Sequence, residues 1–130
     1  MEKRFKDWKY PEFDEMGMTK WHWVCQYHNN LKLGKKTDIG AFTYINAKYE
    51  VVIEEGVQIG SHCAIYSENT IDKTKGEVII KKGACIGSHC VILPGVVIGK
   101  NAKIGAHSLV KKNIPDNALV FGVPAKVIRK

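Results

Sequence analysis

The stretch "IGSHCVILPGVVIGKNAKIGAHSLV" (86–110) decides the fold. Its aliphatic residues Ile86, Ile92, Ile98, Ile104 and Val110 stand six apart, and glycine directly follows three of them. A helix would set apolar residues three and four apart, and glycine weakens helices, so this period excludes one. A period of six fits short strands joined by tight turns, each strand burying one aliphatic side chain. Three such strands close a coil of 18 residues, and stacked coils share one apolar interior.

Working outward, the same spacing runs through Leu33, Ile39 and Ile45, through Ile53, Ile59 and Ile65, and through Ile80. The chain thus holds four sets of three hexapeptides. From Ile80 to Ile98 the step is the regular 18, whereas from Leu33 to Ile53 it is 20 and from Ile53 to Ile80 it is 27. The nine extra residues of the longest step must loop out around "SENTIDKTKG" (67–76), where function would concentrate in an otherwise regular repeat. The predicted fold is all-β, a parallel β-helix of about four coils in a single domain spanning 1–130. Residues 1–30 form an aromatic-rich N-terminal cap, 31–112 the coils with their inserted loop, and 113–130 a short C-terminal extension. Trp8, Trp21 and Trp23 suit the cap, because the end of a β-helix is an open edge that needs cover. Part of that segment is also a candidate acceptor site, with His28 as its potential base.

The near-duplicates "IGSHCAI" (59–65) and "IGSHCVI" (86–92) raise the question of a metal site. His62, His89 and His107 each follow a core aliphatic by three residues, where other repeats carry Gly56, Gly83, Gly95, Asn101 or Asn113. These residue types tolerate positive φ, so this is the turn position of each hexad. The histidines should stack at roughly 4.8 Å per coil, while Cys63, Cys90 and Ser108 occupy a tight position beside the core. Adjacent residues at a turn need not point together, so a His-Cys pair chelates poorly, and no metal is expected.

The net charge of +7 and a pI near 9.2 suit an anionic partner. The lysines are dispersed and no recognition motif accompanies them, which argues against nucleic acid. The longest apolar run is too short and glycine-rich to span a bilayer, and the first residues carry no apolar signal core, so the reading is cytoplasmic. The four cysteines lack CxxC spacing and are expected to stay reduced.

The repeats resemble those of the left-handed β-helix hexapeptide acyltransferases. Residues 86–130 are similar to the C-terminal region of the galactoside, maltose and nodulation-factor sugar acetyltransferases, through "ILPGVVIGKNAKIGAHSLVKKNIPDN" and "GVPAKVIRK". The handedness comes from that resemblance. So does a homotrimer with acetyl-CoA, the acyl donor, in clefts between subunits. Carried over by position, Ser88 and Ala106 would meet the pantetheine arm, and Lys111, Lys126 and Arg129 the adenine and phosphate end. Tyr66, Ser67, Asn69 and Thr70 fall where the acceptor would bind. Zinc-binding carbonic anhydrases share the fold, but their H-x4-H stretch is missing here.

The resemblance breaks where the sugar O-acetyltransferases carry their histidine base, since "IYSENTI" (65–71) puts Thr70 there. Their acidic pair is also replaced, by "INAKY" (45–49). An amine acceptor needs less base assistance than a hydroxyl, because it can attack first and lose its proton afterwards. Amino-sugar N-acetyltransferases of the superfamily resemble this chain in placing an asparagine in the loop, which makes Asn69 a candidate for orienting the amine. The expected function is acetyl transfer to a sugar, as N-acetylation of a nucleotide-linked amino sugar for surface glycan such as lipopolysaccharide. O-acetylation with His62, His89 or His28 as base is the alternative, and a non-catalytic β-helix scaffold is the reading from another class.

Overall fold

The computed structural model describes residues 6–130. Strands of two or three residues repeat along the chain and stack in parallel into three sheets, forming the predicted β-helix. The first face stacks Val24–Gln26, Tyr44–Asn46, Ala64–Tyr66, Val91–Ile92 and Leu109–Val110. On the second face are Leu31–Leu33, Val51–Ile53, Val78–Ile80 and Val97–Ile98. The third face holds Asp38–Ile39, Gln58–Ile59, Cys85–Ile86, Lys103–Ile104 and Leu119–Gly122.

Register follows the hexapeptide spacing, with Ile53 beside Ile80, Ile59 beside Ile86 and Ile65 beside Ile92. Each aliphatic points inward and is fully buried through most of the stack, as at Ile45, Ile65, Ile80 and Ile98. Two residues before each lies a second inward position filled by smaller side chains, including Val57, Ala84, Val96 and Ala102, all buried. Alternating a branched aliphatic with a smaller residue fills a narrow interior without voids. Small residues matter at the corners too: a Cβ on Gly87 would lie 2.7 Å from the backbone nitrogen of Ala106 in the next coil.

Parallel pairing extends beyond the four sets of hexapeptides at both ends. Val24–Gln26 pairs with Tyr44–Asn46, so Cys25 heads the column that continues through Ile45 and Ile65. Ile114 bridges to Ile98, and Val120 pairs with Ile104. Both C-terminal steps are 16 residues, two short of the regular 18. Ala125–Arg129 then folds back antiparallel onto Leu119–Gly122 and covers that edge of the third face. At the other end Trp23 is buried, Phe13 packs edge-on against it at 5.5 Å, and the Trp8 indole donates to the Thr37 carbonyl at 2.7 Å. His28 stacks on Phe13 at 4.6 Å. Among the described residues no helix is long and apolar enough to cross a membrane.

Candidate active site

Three corners join the faces, and each carries a different chemistry. Between the third and first faces the chain turns at His62, His89 and His107, with φ of 57, 59 and 63°. The left-handed turn throws each imidazole outward while the next residue turns in. Successive ring centroids lie 4.8 Å apart, with planes 2° and 18° from parallel. Phe42 and His22 extend the ladder, at 5.1 Å from His62 and 6.4 Å from Phe42 respectively. Phe42 follows Ile39 by three residues, so the turn rule that found the histidines also points to it. Asn113 departs from that rule, because the step from Val110 to Ile114 is shortened to four residues, whereas Asn117, three after Ile114, keeps it with φ 62°.

Inside this corner the small residues form a column of donors. Thr43 Oγ1 donates to the Gly60 carbonyl at 2.8 Å, Cys63 Sγ to Gly87 at 3.1 Å, and Cys90 Sγ to Gly105 at 3.1 Å. The histidine and cysteine of each pair therefore face opposite sides of the wall. Among the described residues no group of three or more His, Cys, Asp or Glu could hold a metal ion. All four cysteines are free thiols. Burial pushes Cys25 up to about 12, and the hydrogen bond with Cys90, then burial, raises Cys63.

At the corner between the first and second faces, the inserted loop forms a small hairpin that pairs Glu68 with Lys75 and Asn69 with Thr74. Its base is built into the wall. Ser67 is fully buried; its hydroxyl accepts from the Tyr49 amide at 3.0 Å and donates to Asn46 Oδ1 at 3.3 Å. The serine placed among the acceptor-binding candidates thus anchors the loop in this structure. Glu68 lies 3.7 Å from the Lys48 ammonium. Asn69 Oδ1 accepts from the Ile71 amide at 3.2 Å. Asp72 accepts from the Thr74 hydroxyl at 2.7 Å and amide at 3.1 Å, and those bonds hold its carboxyl below the usual range. Thr70 and Ile71 are exposed at the tip. Next to the loop, Tyr66 packs 5.7 Å from Tyr44, whose hydroxyl donates to Gln26 Oε1 at 2.6 Å. Burial raises the Tyr44 pKa. Sequence reasoning passed over Tyr44, and saw Asn46 and Tyr49 only as part of "INAKY", because their partners come from other coils.

The remaining corner carries charge of both signs: Lys35 and Lys36, Glu54 and Glu55, Lys81 and Lys82, Lys100, then Asp116. Lys82 lies 4.0 Å from Glu55, and the Lys100 amide donates to Asp116 at 2.8 Å. Neighbouring coils are thus linked at this corner by one ion pair and one side chain-to-backbone bond.

The candidate site residues divide into groups. Ser88 and Ala106 stand on the histidine corner beside His89 and His107, in adjacent coils. Lys126 and Arg129 lie on the closing strand, opposite Phe121 and Leu119. Tyr66 ends a first-face strand at the other edge, and Lys111, Asn69 and Thr70 lie past that edge. One chain does not bring His62 or His89 to Asn69, because the strand Ala64–Tyr66 separates them.

Residues 77–112 match the family described as bacterial transferase hexapeptide (six repeats). The chain is 36% identical over 112 residues to the galactoside O-acetyltransferase of Lactococcus lactis subsp. lactis (strain IL1403), covering 75% of this chain and 54% of that protein. Galactoside O-acetyltransferase of Escherichia coli (strain K12) is 58% identical over 40 residues, 31% of this chain and 20% of the relative. A solved galactoside acetyltransferase in complex with coenzyme A superposes with a TM-score of 0.77 at 32% identity, over 83% of this chain and 58% of that one. Maltose O-acetyltransferase from Clostridium difficile 630 gives 0.75 at 27% identity, over 83% and 63%. Fold and repeats are those of a left-handed β-helix of hexapeptide repeats, as in the hexapeptide acyltransferases that the chain resembles. Among these it resembles the galactoside and maltose acetyltransferases, and it spans only about half the length of the lactococcal relative.

Proposed function

We propose that this chain is a subunit of an acetyltransferase that moves the acetyl group of acetyl-CoA onto the amine of a nucleotide-linked amino sugar, for surface glycan synthesis in the cytoplasm. The observation that carries the choice of an amine is the state of the loop's ionisable groups. Glu68 is paired with Lys48, and Asp72 is held ionised by Thr74. Both carboxylates of the loop are thus already engaged, and Thr70 stands at the family's histidine position. An amine supplies its own lone pair: its nitrogen bonds to the thioester carbonyl carbon, the carbon–sulfur bond breaks, and the amine's proton passes to the departing thiolate or to water. Asn69 orients that amine, with Tyr66 and Thr70 beside it.

The donor's extended amide chain suits the stacked backbone at Ser88 and Ala106, and Lys126 and Arg129 suit its phosphates. Because these groups and the loop lie on opposite edges of the first face, a complete site needs a second copy whose loop corner meets this histidine corner. Repeated cyclically, that contact closes a homotrimer with three equal sites, Lys111 then coming from the neighbour. The outward row Val24, Tyr44, Ala64, Val91 and Leu109 is only half buried in the single chain, as befits a face another copy covers.

One observation favours a second reading, hydroxyl acetylation with His62 as base: its Nδ1 lies 3.1 Å from Ser61 Oγ, a contact that orients the ring. Two substitutions separate the readings. For an amine acceptor, His62→Asn keeps the turn, since Asn101 has the same φ of 57°, and retains most of kcat. Asn69→Ala then does the greater damage. A loss of roughly 10²–10⁴-fold in a folded His62→Asn protein, with Asn69→Ala nearly unaffected, would overturn the amine reading in favour of the hydroxyl one.

A further inference from the structure

The corner between the second and third faces holds a recess that acetyl transfer leaves unused. Its turn positions are Lys36, Gly56, Gly83 and Asn101, each three residues after a core aliphatic and each at positive φ. At the histidine corner this column is filled by stacked rings, whereas here two successive coils carry glycine. The Asn101 side chain leans over Gly83, where an added Cβ would strike its Oδ1. A Cβ on Gly56 would meet nothing within 4 Å, so the column stands open there. Around the gap lies a recess of about 460 Å³, lined also by Glu55, Lys82 and Lys100. None of the candidate donor-binding or acceptor-binding residues lines it. They stand on the histidine corner, the loop corner and the closing strand, while this corner lies across the prism from the first face, which joins the other two.

We infer that this recess binds an anion of two or more linked phosphates, such as diphosphate or triphosphate. Charge is the first reason. Lys36 and Lys100 make no ion pair with any described residue, and Lys82 reaches Glu55 only at 4.0 Å, between side chains open to solvent. The other carboxylates of the corner are engaged by backbone: Glu54 accepts from the Lys82 amide at 2.9 Å and Asp116 from the Lys100 amide at 2.8 Å. With Lys35 and Lys81 beside them, five lysines face three carboxylates, and the excess is positive. Reach is the second reason. Coils stack at about 4.8 Å, so the backbones of Lys36 and Lys100, three coils apart, are separated by roughly 14 Å. A single phosphate would draw both long stems to one point at a cost in side-chain freedom, whereas linked phosphates let each lysine meet its own group, with Lys82 between. The kind of anion follows from the lining. Lysine ammoniums are rotatable point donors suited to phosphate, and among the described lining residues there is no arginine fork for a planar carboxylate and no ring to stack a base.

The test is calorimetric titration of the full chain, without acetyl-CoA, with inorganic triphosphate, diphosphate and orthophosphate at fixed ionic strength, and with amide NMR to locate the probe. We expect saturable binding that strengthens from orthophosphate to triphosphate and shifts the Gly56 and Gly83 amides. Uridine diphosphate, whose base finds no ring here, should bind no tighter than diphosphate. Lys36→Gln and Lys100→Gln should each weaken triphosphate binding about tenfold. Gly56→Asn tests the recess without changing charge: Asn101 holds the same kind of turn, and the new side chain would occupy the gap, so binding should fall as well. Matching circular dichroism and melting curves establish that the variants fold. No saturable shift at the two glycines, equal affinity for orthophosphate and triphosphate, tighter binding of uridine diphosphate than of diphosphate, or binding untouched in all three variants would overturn the assignment. So would loss of binding in Lys126→Gln alone, which would put the probe at the proposed donor end. Because no acetyl donor is present, a failed titration leaves the transferase reading standing, and a failed transferase assay leaves this site standing.

Discussion

At the scale of single residues, the turn position divides labour between neighbours. The left-handed φ at His62 sends its ring out to Phe42 and His89 and turns Cys63 in to the Gly87 carbonyl. The thiol acts here as a small buried donor, in a column where Thr43 makes the same bond. Cys63→Ser should therefore be better tolerated than Cys63→Val, which removes the donor and overfills a tight position. A difference of about 1 kcal/mol in denaturant midpoints is expected, and a more stable valine variant would contradict it. Asp72 gives a pH signature in the loop. Its folded pKa lies below the ordinary carboxylate value, so its bonds to Thr74 are fully present above that value and are lost as pH falls through the folded pKa. The Thr74 amide should shift in NMR spectra with a midpoint below that of a free aspartate, and an ordinary midpoint would show the bond to be absent in solution. The turn position of the histidines was legible in the sequence because hexad spacing sets it. The bonds of Asp72 and Ser67 were not, because they depend on how the loop folds back.

At the scale of elements, the three corners have separate roles. The histidine corner is a ladder of exposed rings, the charged corner a stack of both signs, and the loop corner a hairpin rooted in the wall. That root is the buried hydroxyl of Ser67, which satisfies the Tyr49 amide and contacts Asn46. Ser67→Ala should cost about 1 kcal/mol, because the part-buried Tyr49 N–H loses its partner. Thermal or denaturant unfolding measures this directly, and a change under 0.5 kcal/mol would show that water replaces the hydroxyl. Element spacing also shows where sequence reading reached its limit. Strict 18-residue steps locate the regular coils, while the shortened steps to Ile114 and Val120 are recovered only through their pairing with Ile98 and Ile104.

At the scale of the whole molecule, the single chain looks like part of a larger assembly. Phe42 is 64% exposed and Trp21 43% on the histidine corner, and the outer row of the first face is only half covered. Exposed apolar surface of this extent marks contact sites. Sedimentation equilibrium should return three times the chain mass of 14.6 kDa, and a monomer at working concentration would sink the shared-site proposal. If the proposed trimer forms, Phe42→Glu should shift the distribution towards monomer and lower acetyl transfer together, since each proposed site draws on two copies.

The sequence by itself determined the coil: a period of six can bury its aliphatics only by turning after each one, and turn geometry then fixes which residues face out. It also determined where the loop leaves, because surplus residues have no place in a stacked coil. Tertiary structure decided what those positions do. Coils far apart in the chain stack 4.8 Å apart, so Phe42 joins the histidine ladder, Ser67 meets Asn46, and Lys82 meets Glu55 of the coil before. The aromatic cap carries no repeat to read, and only folding against the first coil gives its tryptophans a cavity to line.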